Sequence, residues 1–234
     1  MLKKQGDKMK IDFHTHYKKE HFEALCKKAK KLGLDGLVMT EIPYQESFSF
    51  NDLTIFPAQE VEWTATLKTP TYNSFRDYYS RNRGEDQIDF FNGKALVILP
   101  LKTYKKIEGN NLSELFKVVK DLNGIVIALQ DDSNQRITSE GRIGNIYPFD
   151  AVRIRPYNEH DLKYEISIER PSVAVSGAST SNELSFGKGF TELEQNILTT
   201  EELIDYIKNK RSTCLYIHTN EGKQNIRETG GVLK

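Results

Sequence analysis

Residues 10–40 read KIDFHTHYKKEHFEALCKKAKKLGLDGLVMT. The short apolar pattern at 10–13 predicts a strand that runs directly into His14-Thr15-His16. Phe22, Leu25, Cys26, Ala29 and Leu32 then recur at three- and four-residue spacing, the apolar stripe of a surface helix. Lysines crowd the last turn of that helix, where the helix dipole favours cations, and Gly33 supplies the stop. The run at 36–40 is a second apolar strand. Strand, helix and strand in this order predict a parallel βαβ unit.

The same rhythm continues along the chain. Apolar runs at 53–61, 94–100, 125–129, 149–154, 173–175 and 214–217 read as further strands. Asn111-Leu-Ser-Glu114 opens a helix whose inner face is Leu112, Leu115, Phe116, Val119 and Leu122, and Asn123-Gly124 ends it. A last helix begins at Thr199, with Glu202 three residues on. Residues 64–93 interrupt the pattern and are expected to be an insertion loop. Residues 1–9 are expected to form a loose tail before one domain at 10–234. The fold class implied is α/β: a single distorted (β/α)7-type, TIM-like barrel with an insertion after strand three. Enzymes of this architecture carry their sites at the C-terminal ends of the strands.

Composition narrows the classes. A chain of 234 residues with 38% hydrophobic and 28% charged side chains is that of a globular domain able to bury a core. Lys plus Arg and Asp plus Glu both number 33, so no overall field attracts nucleic acid or anionic membrane. Two cysteines, Cys26 and Cys214, make no disulfide framework and read as reduced thiols, which suits a cytoplasmic location. No apolar run has the length of a membrane span.

His14 and His16, two positions apart at a strand end, can both turn toward one ion. The surrounding chain resembles the PHP (polymerase and histidinol phosphatase) superfamily, segment by segment and in order. Residues 22–40 resemble its helix and strand ending in "GLDALAITDH", and IFPAQEV at 55–61 resembles "IPGIEI", which sets Glu60 on the family's bridging glutamate. LSELFKVVKDLNGIVIALQ at 112–130 resembles the helix and strand that end in His-Pro. FDAVRIR at 149–155 resembles "FDAIEVY", and VAVSGASTSNELSFGKGFT at 173–191 resembles the closing segment with its Ser-Asp-Ala-His.

The resemblance implies metal-dependent phosphate-ester hydrolysis by a cluster of up to three ions. The ligand set is incomplete here. The family's Asp-His is Glu41-Ile42, its His-Pro is Gln130-Asp131, and its Ser-Asp-Ala-His is Ser176-Gly177-Ala178-Ser179; no histidine stands at 94–101. What remains implies one divalent ion (Zn, Mn or Fe) on His14, His16 and Glu60. Glu41, Gln130, Asp131 and Asp132 are possible substitute ligands. His21 lies near a further histidine position of some members, but reads as a solvated residue at a helix start.

Arg153 and Arg155 alternate onto one face of their strand, where they can hold a phosphate or pair with Glu41, Glu60 or Glu62. Catalytic roles are therefore expected among Glu60, Glu41, Arg153 and Arg155. Trp63 reads as core. Residues 72–83 interleave tyrosine and phenylalanine with arginine, a mixture found in nucleic-acid and protein contact loops alike. Two functional readings stay open. One is a reduced, single-metal phosphoesterase acting on a phosphorylated small molecule or nucleotide. The other is a metal-free barrel that catalyses nothing and binds a ligand, a protein or RNA, with residues 64–93 as the contact for a macromolecular partner, in the manner of an RNase P protein subunit.

Overall fold

The computed structural model describes residues 8–70, 86–129, 148–154, 173–177, 186, 189–209, 213–219 and 222–229. Its elements in chain order are β1 (Met9–His16), α1 (Phe22–Lys31), β2 (Gly36–Thr40), β3 (Phe48–Phe50), β4 (Leu53–Pro70), β5 (Asp86–Ile98), β6 (Asn110–Asn111) and α2 (Leu112–Asp121). They continue with β7 (Ile125–Leu129), β8 (Ala151–Ile154), β9 (Val173–Ser176), β10 (Gly189–Leu193), α3 (Thr200–Lys208), β11 (Thr213–Thr219) and β12 (Gly222–Thr229). Among the described residues no helix is long and apolar enough to cross a membrane.

The strands form one sheet with the path β12-β11-β10-β1-β2-β4-β5-β7-β8-β9, and β3 and β6 pair onto β4. β9, at one end of the path, packs beside β1, β10 and β11, so the sheet is nearly closed into a barrel. The mixed α/β barrel expected from the sequence is therefore present, but its ladder is not uniformly parallel. β1, β2 and β4 run parallel, as do β7, β8 and β9. β5 is antiparallel to both of its neighbours, and β10 to β12 form an antiparallel meander beside β1.

The reason for the reversal lies in the stretch expected to be a loop. β4 and β5 pair continuously from Gln59↔Val97 to Pro70↔Asp86, so residues 64–70 and 86–93 are strands of one long hairpin. Residues 71–85, including the aromatic and arginine mixture at 72–83, lie outside the described residues. Along β4 the buried Val61, Trp63 and Ala65 alternate with the exposed Glu62, Thr64 and Thr66, which is strand periodicity. Trp63 is core, as its neighbours in the sequence suggested. Its indole needs the glycine opposite: a Cβ at Gly93 would sit 2.5 Å from Trp63 Cζ2.

Three apolar clusters hold the barrel. Inside it, Met9, Ile11, Phe13, Val38, Phe56, Leu96 and Ile127 fill the bore. On the outer face Leu25, Cys26 and Ala29 of α1 cover Leu37, Met39 and Ile55. Leu112, Leu115 and Val119 of α2 cover Val61, Trp63 and Val97. Each Val, Leu, Ile, Phe or Met among them contributes about 1.5–3 kcal/mol when fully buried. Helix α3, started by a Thr199–Glu202 capping box, sends Leu203, Ile204 and Ile207 into the inner cluster. The Ile197 N–H just before it meets Met9 Sδ at 3.3 Å, so α3 closes the barrel at the N-terminal end of β1. The C-terminal ends of the parallel strands form the opposite mouth.

Two terminal details differ from expectation. Met9 is not tail but the buried first residue of β1, and Lys8 pairs with Glu192 at 2.9 Å. Residues 1–7 lie outside the described residues. Gly33 does end α1, in a left-handed conformation (φ 72°) that suits a residue without Cβ. Cys26 is buried, and burial pushes its thiol up to about 12, as expected of an inert core cysteine.

Candidate metal centre

A bulge in β1 builds the site. Ile11 and Asp12 pair with Gly36 and Leu37, whereas Thr15 and His16 pair with Met39 and Thr40, so β1 carries one extra residue between. Regular alternation would send Phe13 and His14 to opposite faces. With the bulge Phe13 still joins the inner cluster, and His14 and His16 turn to the same inner side, level with Thr40. Asp12 helps hold the kink: its Oδ1 accepts the His14 backbone N–H at 3.0 Å.

On β4, Glu60 follows the inward-facing Phe56 and Ala58 at two-residue steps and meets the histidines across the mouth. His14 Nε2 lies 2.9 Å and His16 Nε2 3.7 Å from Glu60 Oε2. Glu60's other oxygen is taken by Lys94 of β5, whose Nζ donates to Oε1 at 2.7 Å. The register explains that contact. Glu60 stands opposite Leu96, and Lys94 lies two residues from Leu96, on the same face and diagonal to Glu60. The His14 side chain is 2% exposed, against 17% for Glu60, 23% for His16 and 39% for Lys94, so His14 is the buried end of the group and the others stand nearer the mouth.

Electrostatics follow from this placement. Burial holds the His14 imidazole down at about 4; its hydrogen bond to Glu60 opposes that shift, and the charge of Arg153 adds to it. The bond from His14, with help from Lys94, holds the Glu60 carboxyl down at about 2 against some desolvation. At neutral pH the pair is a neutral imidazole donating to a carboxylate. Behind His16, Thr40 Oγ1 lies 3.0 Å from Nδ1 and 3.5 Å from the Thr15 carbonyl. In the tautomer with the proton on Nδ1, this hydroxyl would accept that N–H and leave Nε2 as the atom that could meet an ion.

These residues fit a divalent ion. One donor atom from each of His14, His16 and Glu60 lies within 4.8 Å of the others. An ion bonded to three such donors at about 2.0–2.2 Å holds them roughly 3–3.5 Å apart. Two imidazoles and a carboxylate are a donor set that zinc, manganese and iron accept.

The other expected residues are placed differently. Glu41 closes β2 with left-handed backbone (φ 62°), uncommon for a residue with a long side chain. Its carboxylate is exposed at the rim, 3.9 Å from His16 Nδ1, on the opposite edge of the ring from Glu60. Arg153 pairs in register with Leu129 and Val175 and is fully buried, donating to the Gly177 carbonyl at 3.1 Å. Gln130, Asp131, Asp132, Arg155, Ala178 and Ser179 lie outside the described residues. His21 is exposed just before α1, its side chain making no cap hydrogen bond.

Gly177 stands where the family resemblance expects an aspartate, and here the backbones approach too closely for any side chain. A Cβ at this position would lie 2.6 Å from Asp12 Oδ1 and 2.9 Å from the Phe13 nitrogen, and closer still to the His14 nitrogen. The β1 bulge and the absent ligand are thus one packing arrangement. Lys94 is the residue that sequence reasoning missed. Its signal was the alternation Lys94, Leu96, Ile98, which aims lysine into the mouth once the hairpin pairing with Glu60 is known.

No protein-family model matches the chain, and no curated protein matches it. Solved structures do. The lesion-specific endonuclease Q from Pyrococcus furiosus is 14% identical with a TM-score of 0.57, covering 95% of this chain and 58% of that one. An endonuclease Q complex with a 27-mer duplex substrate carrying an abasic lesion at the active site is 15% identical with a TM-score of 0.50, covering 86% of this chain and 57% of that one. The likeness is one of fold and supports the α/β barrel. The chain spans a little over half the length of these neighbours.

Two outcomes are expected. Gly177→Asp, which would place there the aspartate that the sequence resemblance implies, should destabilise the protein by about 1–3 kcal/mol through overpacking and should not raise metal content. Denaturant titration beside metal analysis checks both; a stable variant with more bound metal contradicts the packing account. The second outcome concerns pH in chelator-treated protein. Both folded-state values are depressed, so the unfolded chain takes up protons first on acidification and stability falls. The window runs from about 6.5 down to about 4 for His14, and Glu60 adds a loss between about 4.5 and 2. The His14 part is on the order of 3 kcal/mol. Denaturation midpoints from pH 7 to 4 should therefore fall in wild type and stay flatter in His14→Asn.

Proposed function

We propose that this protein is a metal-dependent phosphoesterase that works with a single divalent ion on His14, His16 and Glu60. The observation that carries the reading is the convergence of those three donors at one barrel mouth, produced by a bulge whose effect is to aim both histidines there. A divalent ion at that point supplies Lewis acidity to a phosphoryl oxygen and makes a neighbouring water more acidic. His14 and His16 hold the ion as neutral imidazoles, and Glu60 offers an anionic oxygen at all physiological pH. Arg153 adds fixed positive charge inside the barrel, which favours an anionic substrate. The Glu41 carboxylate, exposed at the rim on the Nδ1 side of His16, is a candidate for taking or returning a proton. Arg155 and the Asp131-Asp132 pair extend the set as further candidates for anion and metal contact. Among phosphate esters, the phosphodiester of a nucleic acid or nucleotide is the first class to test, because endonuclease Q, whose fold the chain shares, is an endonuclease crystallised on duplex DNA.

A second reading has its own observation. Glu60 is already satisfied by His14 and Lys94, so its charge is compensated without an ion. A metal-free barrel that binds a phosphorylated ligand, a protein or RNA would look the same. Metal analysis separates the two. Freshly purified protein should carry about one equivalent of zinc, manganese or iron and hydrolyse bis(p-nitrophenyl) phosphate or abasic DNA. His14→Ala combined with His16→Ala should remove the metal and lower hydrolysis at least about a hundredfold. Wild type without metal or hydrolysis, even after reconstitution, would leave the binding barrel.

A further inference from the structure

Glu60 presents its two oxygens to two different kinds of group. Oε2 faces the imidazole nitrogens, and Oε1 is held by the Lys94 ammonium at 2.7 Å. We propose that Lys94 is the built-in second cation of this centre: it limits the site to one metal ion and binds a phosphoryl oxygen of the substrate. This rests on the single-metal reading above and adds to it a substrate-binding residue.

Charge and distance carry the proposal. The two oxygens of a carboxylate are about 2.2 Å apart, so an ion on Oε2 and an ammonium on Oε1 stand roughly 4–6 Å from each other across Glu60. Two-metal phosphoryl-transfer sites place their cations about 3.5–4 Å apart to clamp the oxygens of one phosphate. An ion and a lysine flanking one carboxylate give a looser version of that clamp with a single metal. With Oε1 occupied, Glu60 can give the ion only one oxygen, and no second ion can share the carboxylate while Lys94 holds it.

Solvent access points the same way. Lys94 has 39% of its side chain exposed, against 2% for His14, so it is reachable from solvent where the imidazole is not. An ammonium carries three donors, so a bond to Oε1 does not by itself exhaust it. Its compact charge suits a phosphate oxygen.

The test is titration of inorganic phosphate into wild type, Lys94→Met and Lys94→Arg, each metal-free and zinc-loaded, with metal content measured on the same samples. Folding is checked by thermal denaturation. Loss of one charge-assisted hydrogen bond should weaken phosphate binding by about tenfold or more in Lys94→Met. Lys94→Arg should recover most of it. Zinc should bind Lys94→Met at least as tightly as wild type, because a neighbouring positive charge has gone. Equal phosphate affinity in wild type and a folded Lys94→Met overturns the proposal. If wild type takes up no zinc, the single-metal reading fails, and the metal-free titrations still decide whether Lys94 binds the anion. If Lys94→Met does not fold, Lys94→Gln is measured in its place, with the same two outcomes.

Discussion

A carboxylate at the edge of an apolar bore has to be compensated, and the compensation of Glu60 organises this molecule. Its charge is met from one side by an imidazole that burial keeps neutral and from the other by an ammonium. Each partner requires a specific irregularity in the sheet. The imidazole reaches Glu60 because β1 bulges after Asp12. The ammonium reaches it because β5 reverses beside β4, which brings the start of its apolar run level with the end of theirs. A regular parallel barrel would supply neither contact. Arg153, farther in, reinforces the neutral state of His14 and ties β8 to the turn after β9 through the Gly177 carbonyl.

The same packing explains what the centre lacks. Where a ligand-bearing side chain is expected at 177, the backbone of the bulge fills the space. The close backbone approach at Gly177 and the kinked strand are therefore one arrangement. Glu41 is longer than the aspartate expected in its place, but the left-handed turn at the end of β2 carries its carboxylate to the outer edge of His16. Among the described residues the donor atoms that converge belong to His14, His16 and Glu60.

How much of this was legible in the sequence depends on the range of the interactions. His14, His16 and Glu60 were readable because their positions at strand ends are local facts, and parallel strands bring such ends together. The helices α1, α2 and α3 were readable from apolar spacing and caps. The bulge was not, because it changes the register of β1 against β2 without changing composition. The β4–β5 hairpin was missed because its outer part is polar on the face that Trp63 and Ala65 leave exposed, so the alternation was short. Lys94 was missed as a consequence: its role exists only once β5 is laid against β4. Arg153 was read only as sharing a strand face with Arg155; its burial and its bond to Gly177 follow from tertiary packing that no short window contains.

The central claim is that His14, His16 and Glu60 hold one divalent ion beside an ammonium. Anomalous diffraction at the zinc edge, from crystals of zinc-loaded protein, tests it most directly. A single peak about 2.0–2.2 Å from His14 Nε2, His16 Nε2 and one Glu60 oxygen, with Lys94 on the other oxygen, is the predicted result. The absence of a peak at full zinc saturation, or two peaks bridged by Glu60 with Lys94 displaced, would contradict it.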